Sequence, residues 1–132
     1  RLVYRIVLHM SWALGKYRLF DKLDAYTFHE GFAHLLSYQA TEIDRVDWHT
    51  PQLTEVAAAS RAKLRLALTE TDPDRQKQFL EEAVCGSYYE KFACMCGMLY
   101  LADRWETQGI DGLQSAFADY HGFAQRALSI RI

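Results

Sequence analysis

The sequence contains only two prolines and three cysteines, and neither sign of charge is in strong excess. An odd number of cysteines without a framework spacing argues against a small secreted domain held together by disulfides. We therefore expect Cys85, Cys94 and Cys96 to be reduced and mostly buried, which is typical of a cytoplasmic protein. A formal net charge of -2 without long runs of either sign gives no indication of a nucleic-acid partner or of a polybasic membrane anchor.

Apolar runs of membrane-spanning length are also missing. The strongest apolar stretch, residues 92–102, is far shorter than the about 20 residues that a spanning helix needs. The apolar segment at residues 2–14 is interrupted by Arg5, His9 and Ser11, and it lacks a small-residue cleavage site of the kind that ends a signal peptide. We therefore predict no membrane span. The partners that remain possible are another protein and a second copy of this chain.

Strand signals are nearly absent, since no long alternation of β-branched residues and no Asn-Gly or Asp-Gly hairpin turn between candidate strands occurs. Half of the residues are hydrophobic (50%), which is a globular composition, and 132 residues correspond to one domain. We predict an all-α fold, a compact bundle of about five to six helices in a single domain over residues 1–132. Because the chain opens at Arg1 and not at Met, we expect it to be the C-terminal helical part of a larger protein or a processed chain.

Capping residues and glycines predict where the helices lie. Thr50-Pro51 and Asp72-Pro73 each place a capping side chain before a proline in the first helical turn. Gly109 follows a charged stretch and predicts a helix end. The predicted helices span residues 2–18, 22–40, 51–70, 73–84, 88–107, and a short helix from 111 to 120, with a last turn or two after 123. The helix at about 88–107 is the predicted centre of the bundle, because residues 92–102 are apolar or small on nearly every side.

Two histidines and a carboxylate gather in the second helix, at His29, Glu30 and His34. Histidines five residues apart lie about 140° apart around a helix, so both could face one metal only across a one-residue bulge. Glu30 and His34 are four residues apart and share a face in an ordinary helix. Glu30 could then be the carboxylate ligand of a zinc site completed from a neighbouring helix.

Residues 28–36, with Glu30-Gly31-Phe32-Ala33 at their centre, resemble the "E-G-hydrophobic-A" helix of gluzincin-type, peptidase-MA-like metallopeptidases. In that group the Glu of this helix is the third zinc ligand, and an earlier helix carries H-E-x-x-H. The resemblance implies that Glu30 is a zinc ligand and that His9 matches the first histidine. Met10 stands where the general-base Glu would be, and Ala13 where the second histidine would be. The resemblance therefore implies a metallopeptidase-like helical domain with lost or incomplete zinc-hydrolase chemistry.

The candidate metal ligands are Glu30, His34 and His9, with His29 as the fallback, and zinc is the implied cofactor. Whether the chain is an enzyme stays open at this point. One alternative is a non-enzymatic helical interaction or oligomerisation module, which the eight Tyr, seven Phe and three Trp favour. A di-iron bundle is less favoured, because it needs paired Glu-x-x-His motifs on two helices and no second pair occurs. The simplest alternative is a buried histidine with one hydrogen bond beside a solvated carboxylate.

Overall fold

A computed structural model describes the backbone of residues 19–118 and 120–132, and the side chains from residue 21 onward in those ranges. The described residues form no strand, and their α-helices are α1 Leu19–Ser37, α2 Pro51–Thr69, α3 Pro73–Val84, α4 Phe92–Ala118 and α5 Phe123–Ala127. Short 3-10 turns lie at Tyr38–Ala40, Ile43–Arg45 and Tyr88–Glu90. The predicted all-α bundle around a central apolar helix is confirmed. The predicted helix at 2–18, with His9, lies outside the described residues.

The predicted starts of α2 and α3 are confirmed by their caps. The Thr50 hydroxyl accepts a hydrogen bond from the Leu53 amide at 3.2 Å, and an Asp72 carboxylate oxygen accepts one from the Arg75 amide at 3.0 Å. In both helices a proline occupies the first turn, where a missing N–H costs no helical hydrogen bond. These two helices could therefore be located from four residues of sequence.

The start predicted for the central helix was wrong, whereas the break predicted at Gly109 is confirmed. Residues 88–90 form a separate 3-10 turn, so α4 begins at Phe92. At Gly109 the backbone leaves the helical region, with φ 62° and ψ -147°, and a second helical segment follows it to Ala118, so α4 consists of two helical segments joined at a kink. That conformation is accessible to glycine and strained for other residues. The predicted short helix after residue 110 is thus the second segment of α4.

The first half of α4 is the core of the bundle and packs closely against α1. Residues 92–99 are all buried. A Cβ atom added to Gly97 would lie 1.9 Å from the Thr27 carbonyl oxygen, and one added to Gly31 would lie 2.6 Å from the carbonyl carbon of Gly97. The two backbones therefore touch at this crossing. Side chains within one turn of the crossing are brought face to face, and this is where the candidate site lies.

A buried carboxylate joins α5 to α1. The two Asp24 oxygens accept hydrogen bonds from the backbone amides of Gly122 at 2.8 Å and Ala124 at 2.9 Å. Those amides are at the start of α5, where N–H groups lack partners within the helix. Asp24 thus caps a helix about one hundred residues away in sequence, and it holds α5 against the bundle.

Among the described residues, no helix combines the length and the apolar character that crossing a bilayer requires.

Candidate metal centre

Three side chains of different chemistry meet beside the crossing of α1 and α4. Glu30 and His34 come from α1 and Cys94 comes from α4, and one ligand atom of each lies within 4.8 Å of those of the other two. The predicted shared face of Glu30 and His34 is confirmed, since Oε2 of Glu30 and Nδ1 of His34 are 3.9 Å apart. A carboxylate oxygen, an imidazole nitrogen and a thiolate sulfur are the three types of ligand that Zn²⁺ takes in proteins.

The His34 ring is oriented by its own helix. Its Nδ1 lies 2.6 Å from the Glu30 carbonyl oxygen, and since a carbonyl only accepts, Nδ1 carries the proton. The lone pair is then on Nε2, the arrangement usual for metal-binding histidines. Burial lowers the pKa of His34, and the nearby Lys91 charge lowers it further, while the carbonyl bond and the Glu30 charge oppose both. At neutral pH the ring is therefore neutral and able to bind a metal.

Cys94 supplies the buried end of the cluster. It is 1% exposed, and its thiol points to the Ala83 carbonyl oxygen at 3.7 Å. Burial raises the pKa of Cys94 to about 12, the Glu30 charge adds to the rise, and Lys91 opposes it. The group is thus a neutral thiol at working pH, and it would bind a metal only by giving up its proton.

Lys91 lies next to this cluster, on the His34 side. Its Nζ is 3.5 Å from His34 Nε2, the nitrogen with the lone pair, and 5.2 Å from the centre of the Tyr88 ring. The ammonium group therefore donates toward the atom that a metal would use. The flexible lysine side chain can move away without a backbone change, and the Tyr88 ring offers its charge a second partner.

Exposure increases across the cluster from the sulfur to the carboxylate. The His34 side chain is 13% exposed and the Glu30 side chain 25% exposed, against 1% for Cys94. An ion could therefore enter from the Glu30 side and reach the thiol last. Three protein ligands leave a fourth position of a tetrahedral ion for water or for one more side chain. The residues present fit a zinc-type metal ion.

The structure places His29, the fallback ligand, away from this group. Its ring packs edge-on to Phe28 at 4.9 Å and lies 5.6 Å from the Tyr120 ring. Residues 19–37 are α-helical throughout, so the bulge that would turn His29 toward His34 is absent. Burial lowers the pKa of His29, and its Nε2 has no hydrogen-bond partner among the described residues. The candidate ligand His9 is outside those residues.

Sequence reasoning missed Cys94. The three cysteines were expected only to be reduced and mostly buried, and none of them was predicted to be a ligand. Two sequence separations could have identified Cys94. It lies three residues before Gly97, and Glu30 lies directly before Gly31. Had these two glycines been taken as the contact point of two helices, Cys94 would have been placed opposite Glu30.

No family model matches the chain, and no curated protein or solved structure is significantly similar to it. The resemblance of residues 28–36 to gluzincin-type metallopeptidases therefore stays a prediction from the sequence.

Proposed function

We propose that this chain is a zinc-binding, metallopeptidase-like helical domain with incomplete hydrolase chemistry, in which Glu30, His34 and Cys94 hold the ion between α1 and α4. The observation that carries the proposal is that three different donor types, from two helices, converge within 4.8 Å. Convergence of this kind is a more specific feature than the sequence spacing of His29, Glu30 and His34, because it brings together ligands from two helices.

The proposed site has the parts for binding and lacks the parts for hydrolysis. A hydrolytic zinc ion needs a bound water and a general base within reach of it. In this arrangement Glu30 is a ligand and is not available as that base. The resemblance also puts Met10 where the family has its general-base Glu. Together with the burial of Cys94, this favours a structural ion, which holds α1 against α4, over a catalytic ion that activates water.

Zinc affinity of single variants tests the proposal. Purified protein is titrated with Zn²⁺ in competition with a chromophoric chelator, for the wild type and for Glu30→Gln, His34→Ala and Cys94→Ala. We expect one zinc per chain and a loss of affinity of at least about a hundredfold in each variant, since even a lost second-shell partner costs roughly 10- to 100-fold.

Two matched controls separate ligands from bystanders. Cys96→Ala removes another buried thiol of α4, whose sulfur is directed to the Ala127 carbonyl oxygen at 3.4 Å. His49→Ala removes an imidazole that is exposed and pairs with Glu106 at 2.8 Å. Both should retain wild-type zinc affinity. Zinc binding that is absent from the wild type, or unchanged in Cys94→Ala, would overturn the proposal.

A second candidate function, a non-enzymatic interaction module, is favoured by one surface feature. Ile110 is 58% exposed and Phe117 is 49% exposed, and seven residues apart they share a face of α4 after Gly109. The Phe117 ring packs against Phe32 at 4.4 Å with its inner side, so the apolar surface that another chain could cover is the outer side of Phe117 together with Ile110. Light scattering at increasing concentration tests this: an oligomer that Ile110→Ser converts to monomer would support it, and a wild-type monomer at all concentrations would contradict self-association.

A further inference from the structure

The end of α3 lies against the buried thiol of the candidate metal centre. The Cys94 sulfur is 3.7 Å from the Ala83 carbonyl oxygen. Cys85 follows Ala83 by two residues, and because consecutive Cα atoms are about 3.8 Å apart, its Cα lies within about 8 Å of the Ala83 Cα. An exposed thiol, that of Cys85, is thus attached next to the residue that the buried Cys94 thiol contacts.

Cys85 is also close enough to two neighbouring groups to shift their pKa values. Burial is the main cause of the raised pKa of Cys94, and repulsion from a charge on Cys85 adds to it. Burial also raises the pKa of Tyr26, one turn before Glu30 on α1, and Cys85 adds to that rise too. Because such repulsion weakens with distance, the Cys85 sulfur lies on the side of the cluster that carries Tyr26 and Glu30.

The chain at Cys85 can move without disturbing the core. Residues 85–87 are exposed, and they connect α3 to the 3-10 turn at Tyr88–Glu90. Gly86 has φ 107°, and a Cβ atom added to it would meet no atom within 4 Å. A glycine in an uncrowded bend allows backbone rotation at little cost. A disulfide needs its two Cα atoms to be about 4.4–6.8 Å apart, and a shift of this bend can supply that approach.

A surface recess gives small molecules access to Cys85. Its volume is about 400 Å³, and its lining residues are Gln78, Glu81, Glu82, Cys85 and Gly86. The two carboxylates disfavour an anionic reagent, so an uncharged oxidant such as hydrogen peroxide enters the recess more easily. Cys94 is only 1% exposed, so Cys85 is the thiol that such an oxidant meets first.

We propose that Cys85 and Cys94 form a disulfide when a hydroperoxide oxidises the chain, and that this bond removes a ligand from the metal centre. With hydrogen peroxide, the Cys85 sulfur attacks one oxygen, the O–O bond breaks, and a sulfenic acid and one water form. The Cys94 sulfur then attacks the sulfenic acid, the S–S bond forms, and a second water leaves. Each sulfur gives up one electron, the peroxide takes both, and the two thiol protons end in water.

The loss of the ligand rests on the proposed zinc site, whereas the disulfide does not. A Cys94 sulfur that is bound to Cys85 has no thiolate to offer to an ion. Zinc affinity should therefore fall at least about a hundredfold on oxidation and return on reduction, since even a lost second-shell partner costs roughly 10- to 100-fold. The pair would then make zinc binding dependent on the redox state of the surroundings.

Peptide mass spectrometry of the metal-free full chain tests the disulfide without zinc. The reduced protein is treated with hydrogen peroxide, alkylated and digested with trypsin, which cuts after Lys91 and so separates Cys85 from Cys94. We expect peptides 78–91 and 92–104 to be linked. The link should persist in Cys96→Ala, in which Cys94 is the only thiol of the second peptide. Cys85→Ser should abolish it, and because Cys85 is exposed, this variant should fold like the wild type.

Zinc titration before and after peroxide treatment tests the consequence. Oxidised wild type should lose affinity and recover it with a thiol reductant, whereas Cys85→Ser should keep its affinity through the same treatment. A wild type without the link, a link from Cys85 to Cys96, or an equal loss of affinity in Cys85→Ser would overturn the proposal. Absence of zinc binding by the reduced wild type would instead refute the proposed function, and the linked peptides alone would then decide on the disulfide.

Discussion

The first turns of α4 and the stretch that follows them lie in opposite surroundings. Residues 92–99 are all buried, and there the Cys94 thiol is neutral because burial raises its pKa to about 12. Further along, residues 106–108 are exposed. A metal ion can bind in the buried stretch only where the neutral thiol loses its proton, whereas the side chains of the exposed stretch are in contact with water. Changes in the two stretches should therefore differ in their effects on stability and on zinc affinity.

The largest expected effect concerns packing. Gly97→Ala would place a Cβ atom 1.9 Å from the Thr27 carbonyl oxygen, so we expect a loss of about 3 kcal/mol or more in the free energy of unfolding. Gly109→Ala meets no atom within 4 Å and should cost only the backbone strain of a positive φ, about 1–2 kcal/mol. Urea denaturation of the metal-free protein measures both. Equal losses would contradict the described contact between α1 and α4.

The next largest loss of stability is expected when the Asp24 cap is removed. Asp24→Ala removes two hydrogen bonds from amides at the start of α5, and we expect a loss of about 2–3 kcal/mol in the free energy of unfolding. Because α5 carries none of the three candidate ligands, this variant should keep its zinc binding. Asp74→Ala, which removes an exposed carboxylate in the first turn of α3, is the matched control and should cost less than about 1 kcal/mol.

The pH dependence of zinc affinity tests whether the buried stretch of α4 supplies a ligand. The lowered pKa of His34 leaves its ring unprotonated at and above neutral pH, whereas the Cys94 thiol must lose a proton to bind. Apparent zinc affinity should therefore rise about tenfold from pH 7 to pH 8, with one proton released per ion. Calorimetry in buffers of different ionisation enthalpy counts that proton. Affinity independent of pH would mean that Cys94 is not a ligand.

The smallest predicted effect concerns Lys91. Replacing the proton of Cys94 by Zn²⁺ adds one positive charge next to the Lys91 ammonium group, which therefore opposes binding. Lys91→Met should raise zinc affinity by about fivefold, the size of one partly screened charge interaction. Lys77→Met, at an exposed position of α3, should leave it unchanged. A fall in affinity in Lys91→Met would show that the lysine supports the site.

Much of the fold could be predicted from local signals. Thr50-Pro51 and Asp72-Pro73 locate two helix starts because capping is decided by a few neighbouring residues, and residues 92–102 indicate the core because they are apolar on all sides. Only the part of the metal centre that lies on one helix could be predicted, because the shared face of Glu30 and His34 follows from their spacing. Cys94 and the Asp24 cap depend on which helices touch. Gly31 and Gly97 indicate one such contact, but the position of α5 against Asp24 has no comparable signal in the sequence.

Cobalt substitution tests the central claim, that Glu30, His34 and Cys94 form one metal centre, most directly. With one equivalent of Co²⁺ the wild-type protein should develop the near-ultraviolet charge-transfer band of a cobalt–thiolate bond, together with visible bands of a four-coordinate ion. Cys96→Ala should keep both sets of bands, and Cys94→Ala should lose the charge-transfer band. A wild-type protein without that band, or a Cys94→Ala variant that retains it, would contradict the account.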